Sequence, residues 1–216
     1  MKAKPRKTNK KNVNALVALF LLISILIASV ALAESITPEE KVKAVFKQVE
    51  SSLSSLKGAN ALTKSNVREV LTQYFLPEVN ALYFSNKVLN KNLPKISDDL
   101  KAEFVTELTS QLLNTYSNLL LKRDDESIIV ESGSISKSGK IAMVNLSIVG
   151  KNKTNKAVVK LLQSANDSWQ FFDLVVEGVS VIDTRQKEMN SSFNKLGING
   201  TLEHLKSINQ RSITSS

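Results

Sequence analysis

Hydrophobic residues recur at helical spacing through the first part of the chain, from about residue 37 to residue 121. The clearest start is Thr37, followed by Pro38 and by Glu40 in the position that completes a capping box. The same criteria, with Pro77 ending one segment, predict helices over residues 38–57, 65–76, 79–89 and 97–121, and a loop at 90–94.

The predicted helix over residues 97–121 carries an apolar stripe that is wider than a coiled-coil seam. The residues of this stripe are Leu100, Phe104, Val105, Leu108, Leu112, Tyr116, Leu119 and Leu120. A stripe of this width indicates that the helix faces a broad apolar surface.

From residue 127 the period changes from about 3.6 to 2, which is typical of strands that have one covered face. Short polar turns separate the alternating segments, as expected for an antiparallel meander. The predicted strands cover residues 127–134, 140–149, 156–164 and 169–176. Helical spacing returns at 182–196, stops at Gly197, and resumes over 200–208.

This order of elements predicts an α+β fold, in which a curved antiparallel four-stranded sheet is covered by helices and encloses an apolar pocket. Neither an internal repeat nor a long linker interrupts the pattern, so residues 34–216 are expected to form a single domain.

The first 33 residues have the features of a signal peptide. Six basic residues precede a long apolar run, and residues 31–33 (Ala-Leu-Ala) match a small-x-small cleavage pattern. The apolar run is nearly long enough to span a bilayer, so an uncleaved anchor is the alternative. Removing the six leader charges from the 29 Lys and Arg leaves 23 against 20 acidic residues, a net charge of +3 instead of +9. That balance gives no reason to expect a nucleic acid partner.

The residue types that most catalytic sites need are scarce. Cysteine is absent and His204 is the single histidine, so a transition-metal site is not expected. Ser180 lies on a strand-to-helix turn, but Ile182 stands where a nucleophile elbow has its second glycine. We therefore expect no enzyme activity, and we expect Ser180 to cap the following helix.

The C-terminal third resembles the MlaC family, also called the toluene-tolerance or Tgt-type family, of periplasmic phospholipid-binding proteins. The resemblance is carried by Trp169, Phe172 and Asp173 in one strand, the turn at residues 177–180, and Thr184-Arg185-Gln186 at the helix start. Residues 196–200 and 205–208 also fit the family. The family's usual tryptophan is missing near residues 92–94, which read Asn-Leu-Pro.

The resemblance implies a monomeric periplasmic carrier that has no cofactor and takes phospholipid as its ligand. It also implies two partners, an inner-membrane MCE-domain/ABC transporter complex and an outer-membrane lipoprotein complex. Shuttling lipid between them would maintain outer-membrane lipid asymmetry. The alternative is a periplasmic interaction module without a lipid ligand.

Residues that would line a lipid pocket are those on the apolar faces of the predicted helices and strands. Each is equally suited to ordinary core packing, and the parity of Trp169 and Phe171 in their strand is ambiguous. Backbone amides near Ile182, assisted by Arg185 and Lys187, are candidates for weak phosphate contact, and solvated surface charge is the alternative for these two side chains. The predicted lipid-binding residues are Val70, Tyr74, Phe104, Leu108, Leu112, Val144, Leu146, Val159, Leu161, Phe172 and Leu174.

Overall fold

In the computed structural model, residues 36–122 and 126–214 are described, so the predicted signal peptide lies outside the described residues. The first helix, α1, spans Pro38–Gly58 and begins at the predicted capping box. Thr37 Oγ1 accepts a hydrogen bond from Glu40 N at 3.2 Å, and Glu40 Oε2 accepts one from Thr37 N at 3.0 Å. These two bonds satisfy amides that the first helical turn leaves without partners.

The second helical segment is less regular than the sequence predicts. Helix α2 spans Lys64–Val70, a π-helical turn follows over Leu71–Phe75, and a 3-10 turn covers Leu76–Glu78. Pro77 lacks an amide hydrogen, and its ring would collide with the carbonyl four residues earlier in an α-helix. The helix therefore departs from α geometry before the proline.

Helix α3 spans Ala81–Leu89, and helix α4 spans Asp98–Leu121. The segment between them, predicted as a loop, is a 3-10 helix over Asn90–Lys95. The final helix, α5, spans Val181–Thr214 and is broken at Gly197, whose φ of 67° lies in the left-handed region. The predicted stop at Gly197 is confirmed, and the helical segment after it extends six residues beyond the predicted end.

The strands form one antiparallel sheet in sequence order. The α+β class is confirmed, but the sheet has five strands instead of four, because two residues of the turn after the fourth strand pair with it. The strands are β1 Ser127–Ile135, β2 Ile141–Val149, β3 Thr154–Gln163, β4 Trp169–Val176 and β5 Val179–Ser180.

Two β-bulges interrupt the register of this sheet. In β1 an extra residue lies between Val130 and Gly133, and in β4 the extra residue is Phe172. The β4 bulge is defined by the pairing of Lys160 with Asp173 and of Leu161 with Phe171. Bulges bend a strand and increase its twist, so they curve the sheet locally.

Helix α1 packs against β1 and β2, α3 packs against β4, and α5 packs against β4 and β5. Val42 and Val45 of α1 meet Val144 and Leu146 of β2 in one buried cluster. A second cluster joins α3, α4 and α5, and a third joins α1, the π-helical turn and α4. Within residues 36–122 and 126–214, no helix is both long enough and apolar enough to cross a membrane.

Candidate functional site

A cavity of about 190 Å³ lies between the helices and the sheet. The helical residues that line it are Phe46, Val49 and Glu50 of α1, Leu71 and Phe75 of the π-helical turn, Phe84 of α3, and Leu112, Tyr116 and Leu120 of α4. Val79, before α3, and Val181, the first residue of α5, complete this side. An apolar cavity of about 150 Å³ is known to hold a benzene ring, so this volume is large enough for part of a hydrocarbon chain.

The sheet supplies the opposite wall. Its lining residues are Ile128 of β1, Leu146 and Ile148 of β2, Val159 of β3, and Phe171, Phe172, Asp173 and Leu174 of β4. Of the described residues around the cavity, only Glu50, Tyr116 and Asp173 carry polar side-chain groups. The wall is therefore almost wholly hydrocarbon, and it offers little to a polar ligand except at those three positions.

Three aromatic rings meet at the cavity wall. The ring of Phe171 lies 6.1 Å from that of Phe46 and 5.6 Å from that of Phe75, measured between centroids, at tilted and edge-on angles. Such arrangements are favourable for aromatic pairs. They join α1, the π-helical turn and β4 around the same space.

The bulge in β4 decides which residues of that strand face the cavity. Phe171 pairs with Leu161 and Leu174 pairs with Val159, so an odd and an even position of β4 lie on one face of the sheet. Strict alternation would place them on opposite faces. Phe171 is therefore a lining residue that alternation alone could not assign, and the sequence contains no turn residue that reveals the bulge.

Five of the eleven predicted lipid-binding residues line the cavity. They come from α4 and from three strands of the sheet, and they are Leu112, Leu146, Val159, Phe172 and Leu174. The structure thus brings these five residues together around one space.

The other six predicted residues lie in packed clusters beside the cavity. Phe104 and Leu108 are buried among α3, α4 and α5. Val144 and Leu161 are buried between the sheet and α1, and Val70 and Tyr74 belong to the cluster around the π-helical turn. A lipid contact stays a prediction for all eleven residues.

The Asp173 carboxylate borders the cavity, and its side chain is only 2% exposed. It accepts hydrogen bonds from Ser180 Oγ at 2.9 Å, Ile182 N at 3.1 Å and Lys160 Nζ at 3.0 Å. A buried carboxylate needs such partners, because burial without them is costly. The ion pair and the two further donors compensate this charge within the fold.

Ser180 caps helix α5, as the sequence predicts. Its Oγ accepts a hydrogen bond from Asp183 N at 3.1 Å while it donates to Asp173. The Ile182 amide, predicted as a candidate for phosphate contact, already donates to Asp173. That prediction is wrong, because a carboxylate of the protein itself occupies the first turn of α5.

Tyr116 is the aromatic polar residue of the lining. Burial raises the pKa of its hydroxyl to about 12, while the charge of Arg185 opposes the shift and the charge of Asp173 adds to it. Arg185 Nη2 donates to Thr115 Oγ1 at 2.9 Å, and Arg185 Nη1 donates to Glu188 Oε2 at 2.7 Å. The hydroxyl therefore stays protonated at neutral pH and lies within the electrostatic influence of both charged groups.

The described part of the chain contains no group of three or more His, Cys, Asp and Glu side chains arranged to hold a metal ion. The chemistry of the cavity is that of a hydrocarbon-lined space with three polar side chains in its wall. This arrangement can hold an apolar chain.

Known proteins resemble this chain in sequence and in fold. It is 23% identical over 185 residues to the intermembrane phospholipid transport system binding protein MlaC of Haemophilus influenzae, covering 83% of this chain and 85% of that protein. The fold is similar, with a TM-score of 0.71 and 15% identity, to a phospholipid-binding protein from Ralstonia solanacearum solved in complex with a phospholipid. That match covers 81% of this chain and 98% of the other. The family model described as MlaC protein matches residues 43–207, most of the chain, so this chain belongs to the MlaC family.

Proposed function

We propose that this protein is a periplasmic carrier that binds phospholipid and moves it between membranes without catalysing a reaction. The observation that supports the proposal best is the hydrocarbon-lined cavity between the sheet and helices α1 and α4. The solved phospholipid complex of a protein with the same fold adds to this support.

A phospholipid needs a carrier to cross an aqueous compartment, because its acyl chains are costly to expose to water. A diacyl lipid exposes on the order of 30 methylene groups, and each costs about 0.8 kcal/mol in water. The total, of order 20 kcal/mol, makes unassisted passage across an aqueous compartment very slow. A cavity with an almost wholly apolar wall removes that cost for the acyl chains, and the headgroup stays in water.

The cavity is smaller than a whole phospholipid would require. About 190 Å³ is enough for part of one acyl chain but not for two long chains. We infer that the walls move apart when lipid enters. The π-helical turn Leu71–Phe75 is the segment most suited to this movement, since π-helical turns are rare and occur frequently at functional sites.

In this proposal residues 1–33 are a signal peptide, residues 34–216 are the single lipid-binding domain, and the carrier acts as a monomer. Its partners are an inner-membrane MCE-domain/ABC transporter complex and an outer-membrane lipoprotein complex. The family membership and the transport-system name of the Haemophilus influenzae relative support these partners.

Native mass spectrometry of the protein purified from cells that export it tests the proposal. We expect an added mass equal to one phospholipid, and lipid extraction should identify that species. A protein that carries no lipid, and that takes none from phospholipid vesicles after delipidation, would support the alternative of an interaction module.

A further inference from the structure

One end of the cavity lies at a row of sheet residues that contains Phe171. Ala142 of β2 pairs with Leu161 of β3, and Leu161 pairs with Phe171 of β4, so these three residues lie side by side across the sheet. Phe171 borders the cavity, whereas Ala142 and Leu161 are fully buried in close-packed core and do not. The cavity therefore stops at the Phe171 ring.

The sheet residues that line the opposite end are Ile128 and Ile148, which pair with each other across β1 and β2. Ile148 lies six residues after Ala142 on β2. At about 3.3 Å per strand residue, the two ends of the cavity are about 20 Å apart along the strands. The cavity is therefore elongated and crosses the sheet from β1 and β2 to β4.

Helix α1 runs along the same direction. Val42 and Val45, near its start, are buried in the same packed cluster as Phe171. The ring of Phe46 meets that of Phe171 at 6.1 Å between centroids, and Glu50, one turn later, lines the cavity and is half-buried. Because a carboxylate is costly to remove from water, the Glu50 end is the end at which the cavity comes closest to solvent.

The Phe171 end is closed by aromatic rings. Phe75 also meets Phe171, at 5.6 Å and edge-on, but it belongs to the π-helical turn that we infer to move. Phe171 itself is held in place, because its strand pairs with β3 and its carbonyl accepts a hydrogen bond from Asn80 N at 2.8 Å. The rings of Phe46 and Phe171 are thus the fixed barrier at this end, with packed core behind them.

We propose that Phe46 and Phe171 form the floor of the cavity and limit the length of the acyl chain that the protein binds. The chain enters from the Glu50 end, and its terminal methyl group stops at the Phe171 ring. Methylene groups beyond that length stay outside the cavity, and each one left in water lowers the affinity about fourfold. This inference rests on the proposed function, since it names the class of phospholipid that the cavity selects.

The test is a competition between phosphatidylglycerols that differ only in the length of their monounsaturated chains. Delipidated protein is incubated with vesicles that contain equal amounts of the myristoleoyl, palmitoleoyl, oleoyl and eicosenoyl lipids, and mass spectrometry measures each bound species. The wild type should bind one of the shorter lipids best, and the amount bound should fall with every further increase in length. Phe171→Ala and Phe46→Ala should each raise the ratio of eicosenoyl to palmitoleoyl lipid about tenfold, because the lost ring makes room for about two more methylene groups.

Phe193→Ala is the matched control for the loss of a ring. Phe193 is a partly buried residue of α5 that packs 5.6 Å from Phe104, outside the cavity lining. This variant should keep the wild-type length profile. Thermal unfolding identifies any variant that fails to fold, and Phe171→Leu, which leaves a smaller hole in the core, then decides by a shift in the same direction.

The same length profile in the wild type and in folded Phe171→Ala and Phe46→Ala would overturn the floor. A wild type that binds all four lipids equally, or a control variant that shifts as much as Phe171→Ala, would overturn it too. Each of these results leaves the carrier function intact, because lipid is still bound. A wild type that takes up none of the four lipids would instead contradict the carrier function itself.

Discussion

The two halves of helix α4 carry similar apolar stripes, but their side chains lie in different environments. In the N-terminal half, Phe104 and Leu108 are fully buried against α3 and α5, and the ring of Phe104 lies 5.6 Å from that of Phe193. In the C-terminal half, Leu112, Tyr116 and Leu120 line the cavity. Helices pack closely when their ridges fit into grooves, whereas a sheet bent by bulges does not follow a helix along its whole length. The partner surface therefore decides whether an apolar stripe becomes core or binding site.

Truncation of one side chain in each half of α4 should have unequal effects on stability. Phe104→Ala leaves a hole in a close-packed cluster and should lower the free energy of unfolding by about 3–5 kcal/mol. Leu120→Ala removes a side chain that already borders empty space, so its cost should stay below about 1.5 kcal/mol. Chemical denaturation measures both values. Equal losses would show that the two halves are packed alike.

A larger side chain should also have different effects in the two halves of α4. Leu108→Trp should lower the free energy of unfolding by about 1–3 kcal/mol, because its surroundings have no room. Leu112→Trp has a cavity to enter, so it should destabilise less while it lowers the amount of bound lipid. Denaturation and lipid extraction of the two variants give the measurements. If Leu108→Trp loses lipid and Leu112→Trp does not, the assignment of the two halves is reversed.

Alkaline unfolding tests the burial of Tyr116 in the cavity half. The pKa of its hydroxyl is about 12 in the folded protein, against about 10 for an exposed tyrosine, so the folded state holds this proton more tightly. The resulting stabilisation is complete below pH 10 and is lost as the pH rises towards 12. Between these values the wild type should lose about 2 kcal/mol more than Tyr116→Phe. Leu120→Ala, which removes no ionisable group, should follow the wild type, and matching curves for Tyr116→Phe would contradict the burial.

The smallest effect on stability is expected at the start of α5, where Ser180 caps the helix. Ser180→Ala should lower the free energy of unfolding by about 1–2 kcal/mol, because Asp183 N loses its acceptor and the buried Asp173 carboxylate loses one of its donors. Bound lipid should not change. Loss of lipid with unchanged stability would show that this serine contacts the ligand.

Much of the fold was predictable because each element follows a local rule. The capping box at Thr37, the break at Gly197 and the antiparallel strands were all predicted from residue type and period. The candidate site was predicted only in part. Leu112 and Leu146 were assigned by periodicity, whereas Phe171 was not, because the bulge at Phe172 changes the face without a sequence signal.

Phe104 and Leu108, whose lipid contact stays a prediction, are not among the residues that line the cavity, and periodicity does not distinguish them from those that do. They belong to the same stripe as Leu112, and only the three-dimensional arrangement of α3 and α5 fills the space in front of them. An apolar position is compatible with core and with cavity. The distinction depends on contacts between residues far apart in the chain, which one sequence does not specify.

The central claim is that the cavity in front of the C-terminal half of α4 holds the acyl chains of a phospholipid. It is tested most directly by the amount of phospholipid that delipidated wild-type protein takes from vesicles, compared with the amount taken by Leu112→Trp. We predict stoichiometric uptake by the wild type and strongly reduced uptake by the folded variant. Equal uptake by both proteins would contradict the claim.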